Sequence, residues 1–308
     1  MKAIVALAGG VGAARFLEGL ARLLPRRRTF IIGNTGDDVE MHGLHISPDL
    51  DTVTYTLAGV GDRKRGWGLQ GDTFHCLAAL GRFGLETWFQ LSDGDFATHL
   101  YRTERLAQGV PLSGVTAEIA AAFGLRARLT PMSDQPVRTR ILTRRGDLEF
   151  QTWFVKRRAR DAVIGVRYAG AAEAVPAPGV LEAIGRARAV LVCPSNPLIS
   201  IGPILAVPGI REALRATRAP VLAISPIVGG QALKGPAARM MKSMGMASSA
   251  LQVARLYEDF LDIFVLDHAD RSLAPAVEAL GIQAVVTNTI MTGLRRKKAL
   301  ARAVLEVL

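Results

Sequence analysis

Short apolar runs and amphipathic stretches alternate along much of this chain. The run AIVALA (3–8) is followed by a GGVG turn, by GAARFLEGLARLL (12–24) with apolar residues at helical spacing, and by TFIIGN (29–34). That order predicts a β-α-β opening. The next segment, SPDLDTVTYTLAG, predicts a helix start, with Ser47 at the N-cap, Pro48 at N1 and carboxylates in the first turn, where the helix dipole favours negative charge. Further helices are expected over residues 71–82 and 95–108.

Between residues 125 and 170 the period changes to two. VRTRILT, a turn at RRGD and LEFQTWFV predict a hairpin, with VIGVRYAG as a third strand. From residue 180 onward, AVLVCP (189–194), PVLAIS (220–225), DIFVLD (262–267) and QAVVTN (283–288) are apolar runs separated by helical patterns, each ending in a polar or glycine-rich loop. This is the pattern of a parallel sheet covered by helices. The expected fold is therefore α/β: a Rossmann-like, mostly parallel sheet in a single domain over 1–308, with an inserted helical and β-hairpin subregion at about 93–172.

Composition narrows the class. Hydrophobic residues make up 49% of the 308 and charged residues 21%, as in an ordinary globular protein, and no apolar run approaches the ~20 residues of a membrane span. The start, MKAIVALAGG, lacks a cleavable small-residue site and reads as a strand rather than a signal peptide, so a cytoplasmic location and no membrane association are expected. Cys76 and Cys193 are far apart and form no Cys-x-x-Cys pair, which argues against a disulfide framework or a structural zinc site. The net charge of +11 is dispersed, with short clusters at Arg26–Arg28, Arg157–Arg158 and Arg295–Lys298 and no accompanying aromatic-rich module. No nucleic acid polymer is expected as partner; the field suits solvated faces or the attraction of small anionic substrates.

In such sheets ligands collect at the carboxyl ends of the strands. Gly9, Gly10 and Gly12 lie between a strand and a helix, where backbone N–H groups hold phosphate. A dinucleotide fingerprint would need glycine where Arg15 stands, and no Gly-Lys-Ser/Thr follows. Arg15 is instead placed to add a guanidinium to a phosphate, or to be a plain surface residue. Against the basic background, Asp37, Asp38, Glu40, Asp49, Asp51, His42 and His45 crowd into residues 34–59. NTGDD after the second strand and SPDLD at the next helix start are placed to converge on one crevice mouth. Carboxylates converging beside a phosphate site suggest Mg²⁺; turn formation and helix initiation account for the same residues without a ligand. His42 and His45 lack the three spaced ligands of a zinc site. In PSNPLISIGP, Ser195, Asn196 and Ser200 offer hydroxyl, amide and backbone donors to a nucleotide, or form a tight turn capped by Ser200. Trp67 is a candidate cover for a planar ligand.

Taken together, GGVGAARF, NTGDD, SPDLDTVTYTLAG, RGWG, DTF, ATHL, LTPMSD, PSNPLISIGPILAVPGIR, SPIVGG and LYEDFLDIFVLD resemble the 2-phospho-L-lactate transferase family of coenzyme F420 biosynthesis, from residue 3 to about residue 270. The resemblance implies a Mg²⁺-dependent homodimeric transferase. It would join 7,8-didemethyl-8-hydroxy-5-deazariboflavin to a phosphorylated C3 acid (2-phospho-L-lactyl, phosphoenolpyruvyl or phosphoglyceryl) carried as its guanosine diphosphate ester, releasing GMP. On that resemblance Asp37 and Asp49 are metal ligands, with Asp38 as an alternative, and Asp51 contacts the deazaflavin and orients or deprotonates its hydroxyl. The glycine loop with Asn34 and Thr35, and the Ser195–Asn196–Pro197 loop with Ser200, hold the nucleotide. Gln90 stands where some members have a lysine that contacts the deazaflavin, and DGD (93–95) departs from the family's Asp-Arg-Asp. The rival readings are an NAD(P)-dependent oxidoreductase and a non-catalytic nucleotide-binding protein.

Overall fold

The computed structural model describes residues 3–25 and 28–308, so Arg26 and Arg27 of the first basic cluster lie outside the described residues. The strands in chain order are β1 (Ile4–Ala8), β2 (Thr29–Gly33), β3 (Val39–Met41), β4 (Leu44–Ile46), β5 (Arg128–Pro131), β6 (Arg138–Thr143), β7 (Gly146–Glu149), β8 (Val163–Ala169), β9 (Ala189–Val192), β10 (Val221–Ile224), β11 (Ile227–Val228), β12 (Gln231–Ala232), β13 (Ile263–Asp267) and β14 (Gln283–Thr287). The helices around the site are α1 (Gly10–Ala21), α2 (Pro48–Ala58), α3 (His75–Arg82), α4 (Asp93–Ala107) and α5 (Leu112–Ala122).

Seven strands form the central sheet in the order β14-β13-β10-β9-β1-β2-β5, and every pairing in it is parallel. The α/β expectation is met. Every residue of β1, β2, β9, β10 and β13 is buried, because helices cover both faces, and this is why these strands read as unbroken apolar runs. The period of two is still visible in where side chains go. Val5 and Leu7 join Ile32 and Val190 in the core on one face. Ile4, Ala6 and Ala8 join Ile31, Leu191 and the α1 residues Phe16, Leu17 and Leu20 on the other.

Strand order reverses between β1 and β9: the chain steps outward through β2 and β5, then returns to the other side of β1 and steps outward through β10, β13 and β14. The loops after β1 and β9 therefore face each other at a topological switch point. Their approach is close. A methyl carbon built on Gly12 would lie 2.2 Å from the Pro194 carbonyl oxygen, and Ser195 Oγ donates to the Gly9 carbonyl at 2.7 Å. Because backbone cannot yield as a side chain tip does, Gly12→Ala is expected to destabilise the fold by about 1–3 kcal/mol. Thermal melting checks this; an unchanged transition would sink the close-contact account.

Several local expectations shift. The helix expected over 71–82 begins only at His75. The second arm of the predicted hairpin ends at Glu149, and Thr152–Lys156 coils into one π-helical turn. Coiling buries Trp153 completely beside Ile141 and Val163 and stacks Phe150 on Phe154 at 5.3 Å, which an extended strand would not do. The strands β7, β6 and β8 make the separate antiparallel sheet that was expected. Within the span 93–172, however, β5 is an edge strand of the main sheet, so that subregion is interrupted by a strand of the core. The expectation had no elements at α5 or at the β3–β4 hairpin, whose turn residues His42 and Gly43 both have positive φ (55° and 74°). Among the described residues no single helix is long and apolar enough to cross a membrane.

Candidate active site

A cleft of about 500 Å³ opens at the switch point. Its floor is the loop after β1: Gly10 at φ 69°, and Gly9, where a methyl carbon would lie 2.6 Å from Ser200 Cβ and 2.9 Å from Asp49 Oδ2. The glycines let backbone, Ser200 and a carboxylate meet, as a phosphate cradle requires. The segment after β2 supplies Asn34, whose Nδ2 donates to Asp49 Oδ2 at 2.9 Å and to the Ile199 carbonyl at 3.2 Å. Asn34 Oδ1 accepts from Gly36 N at 2.8 Å. One amide thus ties together the segment after β2, the first turn of α2 and the loop after β9. The start of α2 supplies Asp49 and Asp51 from its first turn. Ser47 holds the N-cap position, but its hydroxyl does not cap; it donates to Asp38 Oδ2 at 2.8 Å.

Two buried carboxylates, Asp37 and Asp49, face the cleft. Loss of water raises the Asp49 carboxyl to about 7, with the charge of Asp38 adding to the rise and hydrogen bonds from Asn34 and Gly10 opposing it. Asp37 is raised well above the carboxylate range by burial first, then by Asp49 and Asp38. No cation offsets either shift, and Asp37 Oδ1 is buried without a hydrogen-bond partner. Asp38 Oδ1 is likewise buried without a partner. Mg²⁺ characteristically takes one or two carboxylates and completes its shell with phosphate and water, so Asp37 and Asp49 fit it. Asp38 is turned away: its Oδ2 accepts from Ser47 and lies 3.1 Å from His45 Nε2. Among the described residues there is no group of three or more His, Cys, Asp or Glu side chains arranged to hold a metal.

Asp51 also lines the cleft, but it is not free. Arg102 of α4 bridges both its oxygens, NH1 to Oδ2 at 3.1 Å and NH2 to Oδ1. The same NH1 lies 3.1 Å from His99 Nδ1. Burial, then Arg102, push the His99 imidazole down to about 3, so it is neutral and uses Nδ1 as acceptor. Neither Arg102 nor His99 was predicted. Only the structure reveals them, on α4, where Asp95, Thr98, His99 and Arg102 are buried while Leu100 and Tyr101 face outward. A helix whose inward stripe is polar is paired with something polar.

Of the predicted contacts, Gly9, Gly10, Gly12, Arg15, Trp67, Gln90, Ser195, Asn196 and Ser200 all line the cleft. Asn34, Thr35 and Pro197 are buried and do not line it. Asn196, rather than Ser200, caps the following turn, its Oδ1 accepting from Leu198 N at 2.9 Å. Trp67 is 37% exposed, with the Arg65 guanidinium 5.0 Å over its ring. Phe89, Phe150 and Phe154 give the cleft an aromatic end. At the departure DGD, a methyl carbon built on Gly94 would lie 2.6 Å from Leu69 Cδ1 and 2.8 Å from Asp72 Oδ2, so a side chain here would displace the ends of those two side chains.

A glycine cradle, a carboxylate pair suited to Mg²⁺ and an aromatic end at the switch point of a parallel sheet define a phosphate-handling α/β enzyme. The comparisons with known proteins make the class definite: the chain belongs to the 2-phospho-L-lactate transferase CofD family, matched over residues 4–300, and it is a transferase. It is 44% identical to the phosphoenolpyruvate transferase of Streptomyces griseus, over 99% of this chain and 98% of that one. It is 40% identical to the 2-phospho-L-lactate transferase of Methanosarcina mazei, over 98% and 99%. A crystal structure of a UPF0052-family protein from Bacillus halodurans shares the fold, with TM-score 0.65 and 16% identity over 99% of this chain and 98% of that one. The oxidoreductase and binding-only alternatives give way to the transferase.

Proposed function

We propose that this transferase acts in coenzyme F420 biosynthesis. It moves a phosphorylated C3-acid group from a guanosine diphosphate ester to the terminal ribityl hydroxyl of 7,8-didemethyl-8-hydroxy-5-deazariboflavin, and GMP leaves. The observation that carries this reading is the meeting of the Asp37–Asp49 pair with the glycine loop in one cleft. Mg²⁺ held by Asp37 and Asp49 would supply charge neutralisation on the transferring phosphate. The protein's own part is positioning and electrostatics, as in other phosphoryl transfers. The glycine loop and the Ser195–Asn196 loop hold the nucleotide; the aromatic end and Gln90 receive the deazaflavin; Asp51, fixed by Arg102, is placed to orient the attacking hydroxyl.

The relatives' names divide between phosphoenolpyruvate and 2-phospho-L-lactate, acids that differ only in a small substituent. We treat the C3 acid as the substrate class and a homodimer as the working assembly. Purified protein with the deazaflavin, Mg²⁺ and each guanosine diphosphate donor in turn should release GMP together with a phosphodiester of matching mass. No GMP release with any donor would falsify the transferase assignment to these substrates.

A further inference from the structure

Arg15 on α1 and Lys234, just after β12, line the cleft near one another. The ammonium of Lys234 is lowered from its ordinary value, first by loss of water and then by the nearby charge of Arg15. Neighbouring cations are matched: Arg65 pairs with Asp62, Arg102 with Asp51 and Lys297 with Glu18. Among the described residues Arg15 and Lys234 have no carboxylate partner.

The hairpin that precedes Lys234 is anchored. The turn of the β11–β12 hairpin, Gly229–Gly230, has φ of 56° and 76°. It is tied down by Gly229 N donating to Asp270 Oδ2 at 3.0 Å and by Ser248 Oγ donating to the Gly230 carbonyl at 2.8 Å. Beyond the anchored turn the chain overhangs the cleft, and Lys234 Nζ rests against Gly66. A methyl carbon built on Gly66 would lie 3.2 Å from that Nζ and 3.1 Å from Val11 Cγ1. The ammonium thereby roofs the helix start that carries the glycine loop. The cleft is lined both by the carboxylate pair and by these two cations, which have no carboxylate partner among the described residues. Lys234 is exposed and Arg15 half-buried; two like charges brought close are unfavourable unless an anion joins them, and phosphate is the anion such a pair grips best.

We infer that Lys234 and Arg15 hold the phosphate of the departing nucleoside monophosphate and take up the charge that develops on its bridging oxygen. This role rests on the transferase reading above. In the step, the acceptor's hydroxyl oxygen forms a bond to the phosphorus that carries the C3 acid. The bond from that phosphorus to the bridging oxygen breaks, its electron pair leaves with GMP, and the hydroxyl proton is released. Donors aimed at the oxygen that gains charge lower the barrier more than they strengthen ground-state binding.

The test is calorimetric titration of the full chain with GDP and with guanosine, alongside single-turnover transfer, for wild type, Lys234→Ala and Lys234→Arg. Lys234→Ala should weaken GDP about tenfold or more, the scale of a hydrogen bond to a charged group, and leave guanosine unchanged. It should slow transfer by about 10²-fold, the scale of one lost charge-stabilising donor, and Lys234→Arg should keep most of both. Unchanged GDP affinity and rate in Lys234→Ala would overturn the assignment, as would an equal loss of guanosine binding, which would report a collapsed pocket. GDP discrimination that depends on Lys234 in a protein that releases no GMP from any donor would keep the phosphate grip and sink the transferase substrates, so the two failures are distinguishable.

Discussion

Asp49→Asn is expected to lower transfer by about 10²- to 10³-fold, the scale of removing one preorganised charge contact, while the metal-free protein becomes more stable rather than less. The two effects have one cause. Asp49 is buried beside Asp37, and burial with the charge of neighbouring carboxylates raises both groups, so the ionised pair opposes folding, a cost that the proposed Mg²⁺ would offset. An unfolded aspartate titrates near about 3.9, whereas Asp49 in the fold is raised to about 7. Between those values the native state binds more protons than the unfolded state, so metal-free stability falls as pH rises through that window and levels off above it. The asparagine keeps the acceptor for Asn34 and removes the charge, which flattens that part of the slope. Melting curves of chelated protein from acid to neutral pH, with and without Mg²⁺, check this. Wild type should gain stability from Mg²⁺ by mass action and the variant should gain little. Equal Mg²⁺ shifts in both proteins would remove Asp49 from the metal site.

The parallel sheet and the convergence of the two acidic segments on one crevice were legible in the sequence because both follow from local pattern, whereas the choice of Asp37 and Asp49 came from the family resemblance. Fully buried strands read as apolar runs, and the helix start at Ser47–Pro48–Asp49 fixes which turn carries the acids. Which of Asp37 and Asp38 faces the cleft was not legible. It depends on Ser47 and His45 folding back onto Asp38, a contact made through the β3–β4 hairpin that the pattern did not reveal. The segment Thr152–Lys156 misled for another reason: a short aromatic run fits a strand or a helical turn equally, and burial of Trp153 decides. Strand β5 has only four residues, beginning with an exposed arginine, too little for a periodic signal. Arg102 and His99 were missed because α4 has the composition of a solvated helix. Its packing in the fold turns the polar stripe inward, where Arg102 and His99 meet Asp51 of α2.

Arg102→Met is expected to be among the most destabilising single changes in the chain. Arg102 is 1% exposed and its partner Asp51 5%, with burial raising the carboxyl even against the arginine's charge. Removing one side of a buried pair strands the other, at a cost of about 3–5 kcal/mol, which lowers the melting temperature by on the order of 10 °C. Asp51→Asn strands Arg102 in turn. The double variant, Arg102→Met with Asp51→Asn, leaves neither charge alone and should recover part of the loss, giving a coupling of about 1–3 kcal/mol in the double-mutant cycle. Arg102→Lys should restore stability only in part, because an ammonium cannot bridge both carboxylate oxygens as the guanidinium does. A purely structural role for Arg102 would stop there. As a positioning residue acting through Asp51, Arg102 must also affect the acceptor: in Arg102→Lys, assayed where it is fully folded, KM for the deazaflavin should rise and kcat fall, while GDP affinity stays at the wild-type value. If GDP affinity falls in step with acceptor affinity, Arg102 only supports the cleft as a whole, and the placement of Asp51 against the acceptor loses its basis.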